Sequence, residues 1–333
     1  MEPWTIGVDI GGTKVAVALV TPQGKVEHSI QSPTNASRGY KSVLKIIFDA
    51  INSLIKPMEC PPESIGVGIA GQVDPNTGFV YYAPNLGWTN VPLQKDLSDV
   101  FRGIPVKVMN DVRAATWAEW HYGAGRNMTD FAAVFVGTGI GGSIVSQGRL
   151  IEGYSNTAGE IGHTIVSLNG PQCGCGQYGC LEAIAGGLAI GKRAQEYVQQ
   201  NPESGALLLK LSGGKFAKLT AKVVEEAYLQ GDSIALKVIE EAIEALTAGL
   251  VNIVNLLNPQ RIILGGGVID GLPELVQKLE SGVKHKAVRA SVQGLEIVQS
   301  QLGSYAVVIG AALKHDTQRK DKGRKGHKGH KGL

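Results

Sequence analysis

The chain has 333 residues, 43% of them hydrophobic, which is too long for one compact core of ordinary size and fits two lobes of about 150 residues with a cleft between them. Of its 32 Lys/Arg and 29 Asp/Glu, eight and two fall in residues 314 to 333, so the formal charge of +3 is a tail of +6 on a mildly acidic body of −3. The opening "MEPWTIGVDIGGTK" carries no export signal, and no gap-free apolar run reaches the roughly 18 residues of a membrane span, so the expectation is a cytoplasmic protein that does not enter membranes.

Residues 4 to 32 read as strand, glycine turn, strand, turn, strand: "WTIGVDI", "KVAVALV" and "KVEHSIQS", punctuated by "GGT" and "PQGK". "YKSVLKIIFDAINSLIK" spaces Val43, Ile46, Ile47, Ala50 and Leu54 as one face of a helix ending before Pro57, and "SIGVGIAG" follows as a buried strand. A strand at 106–110, "VKVMN", leads into the helix "DVRAATWAEWHYG". Two further strands, "DFAAVFVG" and "GGSIVSQG", surround "GTGIGG", so the opening pattern recurs and predicts two lobes of related topology. Residues 186 to 257 are mostly helical, "RIILGGG" is a short strand ending in glycines, and "GSYAVVIGAALKH" is a last helix. The tail "KHDTQRKDKGRKGHKGHKGL" has almost nothing to bury and is expected to be disordered, either a solvated end or a weak contact for polyanions.

Glycine turns between strands expose backbone N–H groups that approach phosphate oxygens closely. In "DIGGTK", Gly11 and Gly12 form such a turn, Thr13 and Lys14 add donors, and Asp9 is placed to hold Mg²⁺ through water. "VGTGIGGS" supplies Gly137, Thr138 and Gly139, and "LGGGV" supplies Gly265 and Gly266. One such turn is usually just a turn; three directly after strands suggest ATP laid across a cleft. Neither a P-loop nor a G-x-G-x-x-G entering a helix is present in proper context.

Asp111 follows a strand and opens a helix, so it reads either as an N-cap or as the general base of phosphoryl transfer to an alcohol. A polyol substrate also needs paired donors and acceptors, which "APNLGW", "AGEIGH" and "GCLE" offer as Asn85, Glu160, His163 and Glu182.

His163, Cys173, Cys175 and Cys180 give one imidazole and three thiolates, a set suited to tetrahedral Zn²⁺, with free thiols as the competing reading. With four protein ligands the metal is expected to be structural, fixing a loop too poor in apolar residues to fold alone. His163 held through one ring nitrogen leaves the other for a ligand. Cys60, in "MECPP", is expected to be an unrelated packed thiol.

Together "DIGGTK", "APNLGW", "MNDVRAA", "VGTGIGGSIVSQGRLIEGYSNTAGEIGH", "CGCGQYGCLE" and "NPQRIILGGG" resemble the ROK family of sugar kinases and sugar-responsive repressors, from about residue 4 to 313. The resemblance implies an α/β, actin-like ATPase (ribonuclease H-like) fold, divided as an N-terminal lobe over 1–110 and a C-terminal lobe over 111–313 that holds the zinc loop, 163–180. It implies Asp111 as base, sugar contacts from Asn85, Asn110, Asp111, Glu160, His163 and Glu182, Gly71 lining the same pocket, and zinc on His163, Cys173, Cys175 and Cys180. Among the kinases the motifs are most similar to glucokinases, implying transfer from MgATP to the 6-hydroxyl of glucose. N-acetylmannosamine, mannose and fructose kinases share nearly every motif, polyphosphate is an alternative donor, and a non-catalytic sugar-binding regulator is the rival from another class. Repressor members carry a helix-turn-helix ahead of the first glycine strand, which here begins at residue 4, so no DNA binding by that route is expected. The resemblance also implies a homodimer or homotetramer. Arg113 and Ser143 depart from the family pattern, after the base and in the second glycine turn respectively.

Overall fold

The structure, a computed structural model, describes residues 4–313; the tail expected at 314–333 lies outside the described residues. The chain forms two units, the first running to Arg126 and resuming at Ser304, the second spanning Asn127–Gly303.

In unit 1, short β-branched runs broken by turns form an antiparallel meander, β1 (Thr5–Ile10), β2 (Lys14–Val20) and β3 (Val26–Pro33). The amphipathic α1 (Tyr40–Ile55) buries Val43, Leu44, Ile47, Ala50, Ile51 and Leu54, then β4 (Ile65–Ile69) returns parallel to β1. Next come β5 (Gln72–Val73), β6 (Val80–Ala83) and β7 (Trp88–Val91), which make a small sheet of their own, and α2 (Leu93–Val100). β8 (Val106–Asn110) pairs parallel with β4 and runs into α3 (Asp111–Tyr122), completing the sheet order β3-β2-β1-β4-β8. β4 is buried on both faces, which is why it reads as a continuous apolar run, and β1 is buried except at the half-buried Asp9. Each fully buried Ile or Leu of this core contributes about 1.5–3 kcal/mol.

The chain comes back to unit 1 as a helix over 306–313. It lies so close to the sheet that a Cβ at Gly7 or Gly66 would overlap the carbonyl of Val308 or Ala311. Gly310 in turn sits against the Ala114 carbonyl of α3. The sequence places the lobe division between 110 and 111; these close backbone approaches, and the packing of α3 on β4 and β8, group α3 and 304–313 with unit 1.

Unit 2 repeats the scheme. β9 (Phe131–Val136), β10 (Ile140–Ser146) and β11 (Arg149–Leu150) form an antiparallel meander. A helical stretch follows: α4 (Leu181–Ala185), α5 (Gly187–Gln200), α6 (Ala206–Leu211), α7 (Ala221–Leu229) and α8 (Ser233–Leu257). α8 starts where the Asp232 side chain accepts the Ala235 N–H at 2.9 Å and stops at Asn258 in the left-handed region. β12 (Arg261–Gly265), α9 (Gly267–Gly271), α10 (Leu275–Lys286) and β13 (Glu296–Gln299) complete a sheet ordered β11-β10-β9-β12-β13, with β12 parallel to both β9 and β13. The recurrence of strand, glycine turn, strand is thus a recurrence of a whole sheet. Among the described residues no helix is long and apolar enough to cross a membrane.

Candidate active site

In unit 1 the residues singled out by sequence gather at the carboxyl ends of the neighbouring parallel strands β1, β4 and β8, where open α/β sheets bind ligands. Asp9 pairs with Gly68, Gly68 with Met109, and Ile69 with Asn110, while Gly71 lies two residues past the end of β4. Burial, and then the nearby Asp111 carboxylate, push Asp9 up to about 7 against a smaller downward pull from Lys14. Two carboxylates in one partly buried corner disfavour each other's ionised form, an arrangement a cation relieves.

The N-cap of α3 is Asn110: its Oδ1 accepts the Arg113 N–H at 3.1 Å and its Nδ2 donates to the Gly71 carbonyl at 3.3 Å. Asp111 is the first helical residue, with Oδ1 accepting the Val112 N–H at 2.9 Å. Asp111 thus meets one free N–H of the helix start, while the cap position itself is taken by Asn110. Arg113 is buried.

The turn after β1 is a closed loop. The Gly11 N–H donates to the Lys14 carbonyl at 3.0 Å, and Thr34 Oγ1 donates to the Gly11 carbonyl at 2.7 Å. A Cβ at Gly12 would come within 3.0 Å of Asn85, whose short 3-10 turn, Pro84–Leu86, thereby packs under the loop. Thr13, Lys14 and Asn85 are exposed.

Unit 2 brings together the other two glycine runs. Gly137, Thr138 and Gly139 link β9 to β10, and Gly265 pairs with Phe135 where β12 ends beside β9, with Gly266 next. The start of α5 closes on the turn: the Gly187 N–H donates to the Gly137 carbonyl at 2.8 Å and the Leu188 N–H to the Thr138 carbonyl at 3.0 Å. Glu182 Oε2 accepts the Ile140 N–H at 2.8 Å. Ser143, on β10, is fully buried with its hydroxyl unpartnered.

Glu160 is exposed and heads the short turn Ile161–His163, its carbonyl accepting the His163 N–H at 3.0 Å. The following loop is a hairpin in which Ile165 bridges Cys180 and Gln172 bridges Tyr178, with the Cys173 N–H donating to the Gln177 carbonyl at 2.7 Å. This folding collects His163, Cys173, Cys175 and Cys180 so that their ligand atoms lie within 4.8 Å of one another. Cys173 Sγ is 3.6 Å from His163 Nδ1, and Cys175 Sγ is 3.7 Å from Cys180 Sγ. A tetrahedral zinc site has S···N and S···S edges of about 3.5 and 3.8 Å, whereas a disulfide needs about 2.0 Å. Burial raises the Cys173 thiol and pushes Cys180 up to about 12, so a cation held among the four would be needed to make them thiolates at neutral pH. Cys60 is exposed rather than packed, because 56–63 is a solvent-facing connection between α1 and β4.

The sequence profile of the ROK family matches residues 5–317. A glucokinase of Halalkalibacterium halodurans is 34% identical over 328 residues, covering 97% of this chain and 98% of that protein. An N-acetylmannosamine kinase of Escherichia fergusonii is 32% identical over 276 residues, 82% of this chain and 87% of that protein. Among solved structures, a ROK family glucokinase from Streptomyces griseus in complex with glucose and AMPPNP matches with a TM-score of 0.81 at 33% identity, covering 93% of this chain and 98% of that one.

Proposed function

Because the chain belongs to the ROK family and has its actin-like ATPase fold, we propose that it is a hexose kinase, specifically a glucokinase that phosphorylates the 6-hydroxyl of glucose. The observation that carries this reading is Asp111: a carboxylate at the end of β8, beside Asp9, with the helix cap already supplied by Asn110. Bound MgATP supplies the γ-phosphoryl group. Asp111 takes the proton of the 6-hydroxyl as that oxygen attacks the γ-phosphorus and ADP leaves.

In this reading the loop Gly11–Lys14 meets the phosphates, Asp9 holds Mg²⁺ through water, and Asn85, Asn110 and Gly71 meet the sugar. The same reading gives Gly137, Thr138, Gly139, Gly265 and Gly266 to the nucleotide, and Glu160, His163 and Glu182 to the sugar hydroxyls. Structural zinc on His163 Nδ1 and the three cysteines would fix the imidazole so that Nε2 faces the sugar, which the spacing of the four donors supports.

The second reading is an N-acetylmannosamine kinase, favoured by the relative at 32% identity. The test is ADP formation by zinc-loaded protein with MgATP against glucose, mannose, fructose, N-acetylglucosamine and N-acetylmannosamine. The highest kcat/KM on glucose supports the glucokinase reading. The highest on N-acetylmannosamine replaces it with the second, and no turnover of any sugar removes both.

A further inference from the structure

Glu182 joins two features that are far apart in the sequence. It stands two residues after Cys180, in the short helix α4, and its Oε1 lies 3.9 Å from Cys173 Sγ. Its Oε2 accepts the Ile140 N–H at 2.8 Å, where the Gly137–Thr138–Gly139 turn enters β10. The fit is tight, since a Cβ at Gly139 would overlap that same oxygen. The Glu182 carbonyl accepts the Gly186 N–H at 3.0 Å, and the next N–H, of Gly187, reaches the Gly137 carbonyl. Both ends of α4 therefore close on one glycine turn.

We propose that Glu182 is a positioning residue for the nucleotide, holding the 137–139 turn in the shape in which its backbone meets phosphate oxygens. This rests on the kinase reading above, in which that turn binds ATP. A glycine turn samples many conformations, and one left unbraced must be ordered at the expense of binding. A side-chain oxygen accepting the Ile140 N–H at 2.8 Å does that ordering beforehand. A Glu182 that served the sugar alone would leave nucleotide affinity untouched.

The experiment is calorimetric binding of MgAMPPNP, without sugar, to full-length zinc-loaded protein, compared with Glu182→Ala and Glu182→Gln, with amide hydrogen exchange at Ile140 read alongside. Glu182→Ala is expected to bind roughly tenfold more weakly, the effect of one lost hydrogen bond, and to expose the Ile140 amide. Glu182→Gln keeps an oxygen acceptor and is expected to stay within about threefold with Ile140 still protected. If Glu182→Ala binds as tightly as the unaltered protein, this inference falls and the kinase reading stands; if the unaltered protein binds no MgAMPPNP, both fall. Should Glu182→Ala also lose zinc, Gly139→Ala decides. It displaces the same carboxylate from the opposite side with every metal ligand in place, so Ile140 protection must drop, and unchanged protection overturns the inference.

Discussion

The turn after β1 and the turn after β9 occupy the same position in two sheets of the same strand order, yet they are held and charged differently. The first closes on itself through Gly11 and Lys14, is tied by Thr34, and carries Asp9 and Lys14 on its flanks. The second has no ionisable residue between Val136 and Ser146 and borrows its brace, from the start of α5 and from Glu182. A repeated frame supplies matching strand ends, and what is attached to each end decides whether it offers charge or shape.

The strongest way to break that division is to remove charge from unit 1. Asp111→Asn keeps the shape of the corner and the Asn110 cap, so sugar binding is expected to survive while turnover falls by roughly 10²-fold or more. Near-normal ADP formation would show that Asp111 is not the base. The next largest effect belongs to the brace in unit 2. Metal analysis is expected to give about one zinc per chain, and Cys175→Ser to remove it and weaken sugar binding by roughly 10–100-fold, with nucleotide binding less affected. Full sugar affinity in verified metal-free protein would end the structural role.

A smaller effect separates the two turns directly. A Cβ at Gly137 meets nothing within 4 Å, whereas one at Gly12 meets Asn85. Gly137→Ala is therefore expected to leave stability within about 0.5 kcal/mol by thermal denaturation and still to weaken MgAMPPNP binding several-fold, because in the kinase reading the added methyl lies where backbone approaches phosphate. Unchanged nucleotide affinity would reduce the second turn to a connection.

Legibility in the sequence follows the length and regularity of each signal. α1 and α8 repeat their apolar residues over many turns, and β2 after its first residue and β4 throughout are runs without a polar break, so the frame reads directly. The sheet β5-β6-β7 does not, because its strands are two to four residues long and broken by Asp, Pro, Asn and Gly. The Cys3His cluster is legible because three of its donors lie within one short loop and the fourth just before it. "ND" at 110–111 offers two residues able to cap a helix, and only the backbone path decides that Asn110 does so. The bond from Glu182 to Ile140 spans 42 residues and leaves no periodic trace at all.

The smallest expected effect concerns the charge at the first turn. Asp9 is held near 7 in the folded protein, against about 3.9 for an unfolded Asp, so between those values the folded state binds more protons than the unfolded one. Stability from this group is fully present below about pH 4 and is lost as pH rises through about 7. Asp9→Asn removes the titration, and the melting temperature of the variant, followed from pH 5 to pH 8, should fall by a few degrees less than that of the unaltered protein. Mg²⁺ should act the same way on the unaltered protein, raising its melting temperature more at pH 8, where Asp9 is ionised, than at pH 5.5. Equal slopes in variant and unaltered protein would mean that neither burial nor Asp111 raises the Asp9 carboxylate, and the first turn would then carry a full negative charge at Asp9 across this whole pH range.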